Sequence, residues 1–287
     1  GETILFDKNK DSAGEFGKSL RHKNYDCFYV LPPSFSSAWM AFQSKIPKRI
    51  GYAGEYRSFL LTTAKLHEMR PGSQHLLKEY LDLLSNDLEM VNYAPRLEVK
   101  HDWVKEQLDS CTFNIPEKFV VFTPGAIYGP SKQWPVGNYR ELGKQLHEAF
   151  GHKILLLGTI DDVESGTKIS HDHDWIHNFC GKTTLAQLLA ILTKAQLLVG
   201  NDSGSMHLMA ALQRPQIAVF GSTSPTWTGP INANATVMSS NLTCSPCFSR
   251  TCRFGHYDCL TQINPENVFV FKALKISAYN FKLSFPI

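Results

Sequence analysis

The sequence predicts an α/β protein with parallel, doubly wound sheets in two domains. Short apolar runs of strand length alternate with segments that have the apolar spacing of helices. Strands that are separated by single helices form parallel sheets with helices on their faces. Between a first and a second series of such units, Pro116 interrupts two charged stretches. We therefore expect one domain over residues 1–113 and a second over residues 114–287.

In the first domain two strands and two helices are predicted. Residues 25–31 are an apolar run that ends at two prolines, which is typical of a buried strand. Ser34 is placed to cap a helix over residues 35–43. Residues 48–52 are expected to form the next strand. Residues 71–84 carry apolar side chains, most of them leucines, at helical spacing.

The second domain is expected to alternate strands and helices more regularly. The predicted strands cover residues 118–122, 153–157, 176–179, 195–199 and 216–220. The predicted helices cover residues 137–150, 163–170, 184–193 and 205–212. Ligands of such sheets bind beyond the carboxyl ends of the strands. The loops after Phe122, Leu157, Val199 and Phe220 all lie at that edge, and the unusual residues of the chain are in these loops. We therefore expect the ligand site at this edge.

Composition narrows the function classes. The chain has 287 residues, 43% of them hydrophobic and 19% charged, which fits a globular protein with a sizeable core. A net charge of +3 is too small to indicate a nucleic-acid partner. The sequence contains no apolar run of membrane-spanning length and does not open on a signal peptide. We therefore expect a cytoplasmic protein that associates at most peripherally with a membrane. The first residue, Gly1, is not a methionine, which indicates processing, a cloning boundary or missing sequence upstream.

The first unusual loop, residues 123–134, follows a strand directly. Gly125 and Gly129 allow backbone N–H groups to approach an anion, and Lys132 adds a charge suited to phosphate. A plain connecting loop with a solvated lysine explains the same residues equally well when the loop is taken alone. A P-loop is excluded because its Gly-Lys-Ser/Thr ending is absent.

The other loops offer similar groups. Ser203 and Gly204 precede a predicted helix whose N-terminus can bind an anion, and Asp202 can cap that helix or bind a ribose hydroxyl. His207 lies in its first turns. Asp162 can accept hydrogen bonds from a ribose, although acidic residues are also common where helices begin. Thr223 belongs to a hydroxyl-rich loop at the same edge.

Ordered motifs along nearly the whole chain resemble the lipopolysaccharide heptosyltransferases, most of all the heptosyltransferase II group. The motifs of the second half are TPGA-x-YG-x-SKQWP over 123–135, GNDSGSMHL over 200–208, FGSTSPT over 220–226 and NPENV over 264–268. Those of the first half are LPPSFSSA over 31–38 and IPKRIGY over 46–52. Several ordered motifs together are more specific than any one of them.

This resemblance implies a GT-B fold, in which two Rossmann-like domains enclose the active site and a terminal helix packs back. It implies inverting, metal-independent transfer of heptose from ADP-heptose to the lipopolysaccharide inner core of a Gram-negative cell, on an acceptor of the heptosyl-Kdo2-lipid A type. ADP-heptose is the donor substrate, and no cofactor is expected. We expect the protein to be a monomer that lies at the cytoplasmic face of the inner membrane and has no nucleic-acid partner.

By the same resemblance the donor would be held by Thr123, Gly125, Lys132, Asp162, Asp202, Ser203, Gly204, His207 and Thr223. Lys132 would neutralise the diphosphate. Ser34, Ser36 and Arg49 are acceptor candidates. Helix capping explains at least one of the serines, and solvated surface charge explains Arg49 and Arg57 better than acceptor binding does.

The family pattern begins with a strand, a Gly-Asp loop and a helix, and nothing in this chain matches them. The aspartate of that loop is the expected general base, so no base is assigned here. Two alternatives stay open: a related transferase that uses another sugar nucleotide, and a truncated donor-binding protein without activity.

Four of the seven cysteines fall within a short segment at Cys244, Cys247, Cys252 and Cys259. Their spacing is compatible with a structural zinc ion bound by four thiolates. Reduced structural cysteines or local disulfides explain the segment better, because the spacing of the second pair is irregular.

Overall fold

The computed structural model describes residues 1–54, 56–66 and 72–270. Its contacts divide the chain into two units, Gly1–Tyr93 and Ala94–Ile287. This division lies earlier in the chain than the predicted boundary at residue 113. The reason is helix α4 (His101–Asp109), which packs against a helix of the second unit.

The first unit contains a small parallel sheet. Its elements are α1 (Ala13–Ser19), β1 (Cys27–Val30), α2 (Phe35–Gln43), β2 (Lys48–Tyr52), β3 (Thr63–Lys65) and α3 (Leu76–Leu84). The strands lie side by side in the order β1-β2-β3. Val30, Ala38 and Leu60 are buried at its core. Helix α2 and strand β2 match their predicted bounds, whereas α1 and β3 were not predicted, and α3 begins later than expected. Pro71, where that helix was expected to begin, lies outside the described residues.

The second unit is a six-stranded parallel sheet. After α4 its elements are β4 (Phe119–Thr123), α5 (Val136–Phe150), β5 (Lys153–Leu156), α6 (Val163–Ser170), β6 (Ile176–Asn178), α7 (Leu185–Lys194), β7 (Leu198–Asn201), α8 (Gly204–Ala211), β8 (Gln216–Phe220), α9 (Pro225–Thr228), β9 (Ala235–Ser239) and α10 (Asp258–Thr261). All five strands predicted for this domain are present, and β9 adds a sixth. The resemblance also implies a terminal helix. Residues 265–270 are helical, and residues 271–287 lie outside the described part.

Strand order explains where this sheet can bind a ligand. The order is β6-β5-β4-β7-β8-β9, so the chain leaves β4 in one direction and returns on its other side with β7. Such a reversal opens a crevice at the carboxyl ends of the two central strands. Side chains of β4 alternate between two buried clusters, Val120 and Phe122 in one and Phe119 and Val121 in the other. Both faces of the sheet are therefore covered by packed side chains, which leaves the loops at the carboxyl ends of its strands to meet a ligand.

Within the described ranges, no helix is both long and apolar enough to cross a membrane.

Candidate functional site

A cleft of about 710 Å³ opens at the carboxyl ends of the strands in the second unit. Its walls are the loops after β4, β5, β6 and β7 and the first turns of α7 and α8. A volume of this size fits a nucleotide-sized ligand. Three of the four predicted loops line it. The wall after β6, with Gly181 and Thr184, was not predicted, and the loop after β8 contributes instead to a polar cluster beside the cleft.

The cleft presents backbone and hydroxyl groups that suit an anion. Gly204 begins α8, and Ser203 stands before it without a side-chain cap, so the first N–H groups of the helix stay available to a ligand. The Ser205 hydroxyl donates to Thr123 Oγ1 at 3.1 Å and lies 2.9 Å from Ser203 Oγ. This link ties the end of β4 to the start of α8.

A buried ion pair lies next to that helix start. Lys132 Nζ is 2.5 Å from Asp202 Oδ2, and their side chains are 13% and 4% exposed. The same carboxylate oxygen accepts hydrogen bonds from the hydroxyls of Thr223 at 2.7 Å and Thr228 at 3.3 Å. Asp202 therefore does not cap α8, contrary to one of its two predicted roles. Its carboxylate instead holds Lys132 in one position, because a buried carboxylate needs several donors.

Asn201 is a residue of this region for which the sequence suggested no role. It is fully buried at the end of β7. Its Oδ1 accepts from the Trp134 N–H at 3.0 Å and the Tyr139 hydroxyl at 3.1 Å, and its Nδ2 donates to the Pro124 carbonyl at 2.7 Å. Asn201 thus holds both ends of the loop that carries Lys132. A polar residue at the end of an apolar strand was the available signal.

Asp162 lines the cleft with part of its carboxylate already engaged. Its Oδ2 accepts from the Thr159 N–H at 2.7 Å and hydroxyl at 2.9 Å, which forms a capping box. The carboxylate also lies directly against Gly125, where a Cβ would overlap it. Asp162 therefore joins the loops after β4 and β5, and its role toward a ribose stays a prediction.

The cleft also has an apolar part. Ile127, Ile160 and Leu185 line it and are 90%, 72% and 71% exposed. Large aliphatic side chains at that exposure offer contact area to a flat ring. The cleft therefore combines anion-binding groups with apolar surface, which is what a nucleotide requires.

Other predicted donor and acceptor residues have different surroundings. His207 is exposed on α8 and is not among the residues that line the cleft. In the first unit, the Ser34 hydroxyl caps α2 by accepting from the Ser37 N–H, and Ser36 is exposed. Arg49 donates to the carbonyls of Ile46 and Leu60.

Arg57 corrects an expectation. It was expected to be a solvated surface charge, yet it is 1% exposed and donates to the carbonyls of Tyr52 and Pro32. Its charge is used inside the first unit, where it satisfies loop carbonyls that burial would otherwise leave unpaired.

The cysteine segment lies against the loop that carries Lys132. Ser131 Oγ donates to the Ser249 carbonyl at 2.5 Å, and Tyr128 donates to the carbonyl of Phe248. The four cysteines of the segment line one small cavity. Across the part of the chain that the structure describes, no three His, Cys, Asp or Glu side chains are arranged to hold a metal ion. In the described structure the four cysteines are therefore not arranged as a zinc site.

The thiols of this cavity differ in acidity. Backbone N–H groups of residues 254–257, that of Tyr257 first, lower the pKa of Cys252. Burial, and then the other thiols, raise the pKa of Cys259. Cys252 is therefore the stronger thiolate former of the two.

Comparisons with known proteins agree with this geometry. The family model of glycosyltransferase family 9 (heptosyltransferase) matches residues 13–258. Lipopolysaccharide heptosyltransferase 2 of Escherichia coli (strain K12) is 32% identical over 88% of this chain and 76% of its own length. Lipooligosaccharide heptosyltransferase 2 of Haemophilus influenzae is 32% identical over 77% of this chain and 67% of its own.

The solved structure of E. coli ADP-heptose lps heptosyltransferase II superposes on this chain with a TM-score of 0.80 and 30% identity, and the match covers 97% of this chain and 84% of that one. The predicted GT-B fold class is thereby confirmed. With a family match over most of its length and relatives above 30% identity, this chain belongs to glycosyltransferase family 9, the heptosyltransferases.

Proposed function

We propose that this chain transfers a heptose from ADP-heptose to the inner core of a lipopolysaccharide, without a metal and with inversion at the anomeric carbon. One observation carries the proposal. The cleft of the second unit places the free N-terminus of α8 and an apolar wall together, beside the buried pair of Lys132 and Asp202. The relatives support it, since they are heptosyltransferases by name and one solved structure is described by its ADP-heptose donor.

The reaction needs charge stabilisation more than covalent chemistry. When the bond between the anomeric carbon and the diphosphate oxygen breaks, the leaving ADP gains negative charge. Lys132 and the N–H groups at the start of α8 are fixed before the reaction, so they can meet that charge without reorganising. Thr123, Gly125, Ser203 and Gly204 would contact the phosphates.

The nucleoside would take the remaining part of the cleft. Asp162 would accept from ribose hydroxyls through the oxygen that its capping box leaves less engaged. Ile160 and Leu185 would cover a face of the adenine. Thr223 would act indirectly, by holding Asp202 and through it Lys132. His207, which is exposed on α8, would approach the sugar part of the donor rather than the base.

On the acceptor side, the reacting hydroxyl of the inner core would lose its proton to a carboxylate as it attacks, which gives inversion in one displacement. No residue of this chain is assigned to that role. Ser36 and Arg49 are the acceptor candidates, whereas Ser34 is engaged in capping α2. We place the chain, as a monomer, at the cytoplasmic face of a Gram-negative inner membrane, so that the enzyme and the acceptor lie on the same side of that membrane.

Isothermal calorimetry tests the donor part of the proposal. ADP and ADP-heptose should bind, and UDP should bind at least tenfold more weakly. Lys132→Ala should weaken ADP binding by about 10- to 100-fold, because a charge-assisted hydrogen bond to phosphate contributes about 1.5–3 kcal/mol. The matched control is Lys144→Ala, an exposed lysine on α5. No binding of ADP by the unmodified chain would refute the proposal.

Transfer itself is tested with radiolabelled ADP-heptose and a heptose-bearing inner-core acceptor. We expect a labelled glycolipid product, and no product from the same acceptor after its terminal heptose is removed. Equal transfer from UDP-glucose would indicate a different donor class.

A further inference from the structure

A continuous row of aromatic side chains lies on the surface of the first unit. Phe35, Trp39 and Phe42 recur along α2 at the spacing of one helix face and are 43%, 36% and 42% exposed. Phe59 extends the row, since its ring is 6.5 Å from that of Phe35 and it is 73% exposed. Trp39 and Phe42 are stacked at 5.7 Å. We call these four side chains the aromatic ridge.

Helix packing shows why the ridge stays at the surface. The apolar side of α2 that faces the core is made of Ala38 and Ala41, which are fully buried. Small residues face the core, whereas the large rings lie on the outer side of α2, where Trp39 also packs against Gly14 of α1. This is the reverse of the usual arrangement in a globular protein, where large apolar side chains fill the core. An arrangement of this kind marks an interaction surface.

Positive charges gather at one end of the ridge. The guanidinium of Arg49 lies 5.7 Å from the centre of the Phe42 ring. Arg21 donates to the carbonyl of Gln43, the last residue of α2, at 2.8 Å, and the Lys45 N–H donates to the carbonyl of Phe42 at 3.2 Å. Among the described residues, no carboxylate forms a salt bridge with these three cations.

We propose that the aromatic ridge and the cations Arg21, Lys45 and Arg49 form a docking surface for an anionic lipid bilayer. Aromatic rings insert at the boundary between headgroups and acyl chains, and lysine or arginine beside them attracts anionic headgroups. A bilayer fits the surface better than a protein partner does, because the exposed rings lie beside three cations that form no salt bridge with any carboxylate of the described residues. The biological purpose rests on the proposed function, in which the acceptor is a membrane glycolipid.

The binding test uses vesicles that contain no glycolipid acceptor, so it does not depend on catalysis. The full chain should sediment with vesicles of phosphatidylcholine and phosphatidylglycerol, and several-fold less with phosphatidylcholine alone. Phe59→Ser should lower the partition coefficient about tenfold, because it removes an exposed ring that the bilayer would bury. Lys45→Gln should lower it about fivefold, and only for the anionic vesicles. Leu84→Ala, which removes an exposed apolar side chain of α3, is the control and should change nothing.

A spectroscopic readout locates the contact. Brominated lipids should quench part of the tryptophan fluorescence of the unmodified chain, and Trp39→Phe should abolish that quenching while preserving the fold. If Phe59→Ser and Lys45→Gln have the same vesicle partition coefficient as the unmodified chain, the proposal is wrong. Sedimentation velocity showing that the unmodified chain self-associates through the ridge and that Phe59→Ser makes it monomeric would also overturn it.

The two proposals fail separately. Calorimetry with ADP should give the same affinity for Phe59→Ser as for the unmodified chain, because Phe59 belongs to the first unit and the cleft belongs to the second. If the unmodified chain binds ADP but does not bind the anionic vesicles, only the docking surface is rejected. Vesicle binding without ADP binding would reject only the transferase function.

Discussion

The pair of Lys132 and Asp202 allows a quantitative test of how the candidate site is held together. Lys132 Nζ is 2.5 Å from Asp202 Oδ2, and the carboxylate is 4% exposed. Removing one partner of a buried ion pair typically costs about 3–5 kcal/mol, because the other charge stays buried without compensation. Two features lower the expected cost: Lys132 is 13% exposed, and Thr223 still donates to the carboxylate. We therefore expect about 3 kcal/mol for each single change.

The perturbation is a double-mutant cycle with Lys132→Met, Asp202→Asn and the two together. Replacing both partners by uncharged residues of similar size is often close to neutral. The double variant should therefore be no less stable than either single variant, which corresponds to a coupling free energy of at least about 3 kcal/mol. For a unit of this size, a loss of about 3 kcal/mol lowers Tm by about 6–12 °C.

Urea unfolding followed by circular dichroism measures the free energies, and calorimetry with ADP measures what the same changes do to binding. Lys144→Met is the control. The Lys144 side chain is 54% exposed, so this change should alter the free energy of unfolding by less than about 0.5 kcal/mol. Strictly additive effects of Lys132→Met and Asp202→Asn would refute the view that Asp202 holds Lys132 in place. Unchanged ADP affinity in Lys132→Met would remove Lys132 from the donor site.

Three further predictions follow from particular contacts. Gly129→Ala should destabilise the second unit by about 1–3 kcal/mol in urea unfolding, because φ is +142° there and a Cβ would lie 2.6 Å from the Arg250 carbonyl oxygen, whereas Gly137→Ala, with open space around it, should not. Iodoacetamide should modify Cys252, whose pKa is lowered, at lower pH than Cys259, whose pKa burial raises, while Cys180, whose pKa burial raises to about 12, stays unmodified near neutral pH when mapped by mass spectrometry. Arg57→Met should lower the Tm of the first unit by several degrees, and a change below one degree would contradict its buried structural role.

Sequence periodicity predicted the second unit well because its strands are buried on both faces and read as continuous apolar runs. The strand Gln216–Phe220 has the predicted bounds, and α6 does as well. Strand β9 was missed because its side chains are only partly buried, so Ala235–Ser239 lacks a continuous apolar run. The short β3 was missed for the same reason, with exposed residues at Thr63 and Ala64.

Sequence reasoning predicted three of the loops that line the cleft, but not the partners of their charged groups. Strand order placed Thr123 and Asn201 at the same edge, as parallel topology requires. The contact between Lys132 and Asp202 joins residues far apart in the chain, and no local pattern encodes it. Arg57 shows the same limit: a charge in a loop suggests solvent, and only the packed structure reveals the carbonyls around it.

One contact joins two candidate donor loops, and it gives a test of whether they act together. Gly125 lies so close to the Asp162 carboxylate that an added Cβ would overlap it. Gly125→Ala must therefore displace Asp162 and break its capping box with Thr159. We expect ADP affinity to fall at least tenfold, as judged by calorimetry. If the carboxylate is the obstacle, combining Gly125→Ala with Asp162→Ala should bind ADP no more weakly than Asp162→Ala alone. A further loss in the double variant would mean that Gly125 acts through its own backbone on the phosphate, independently of Asp162.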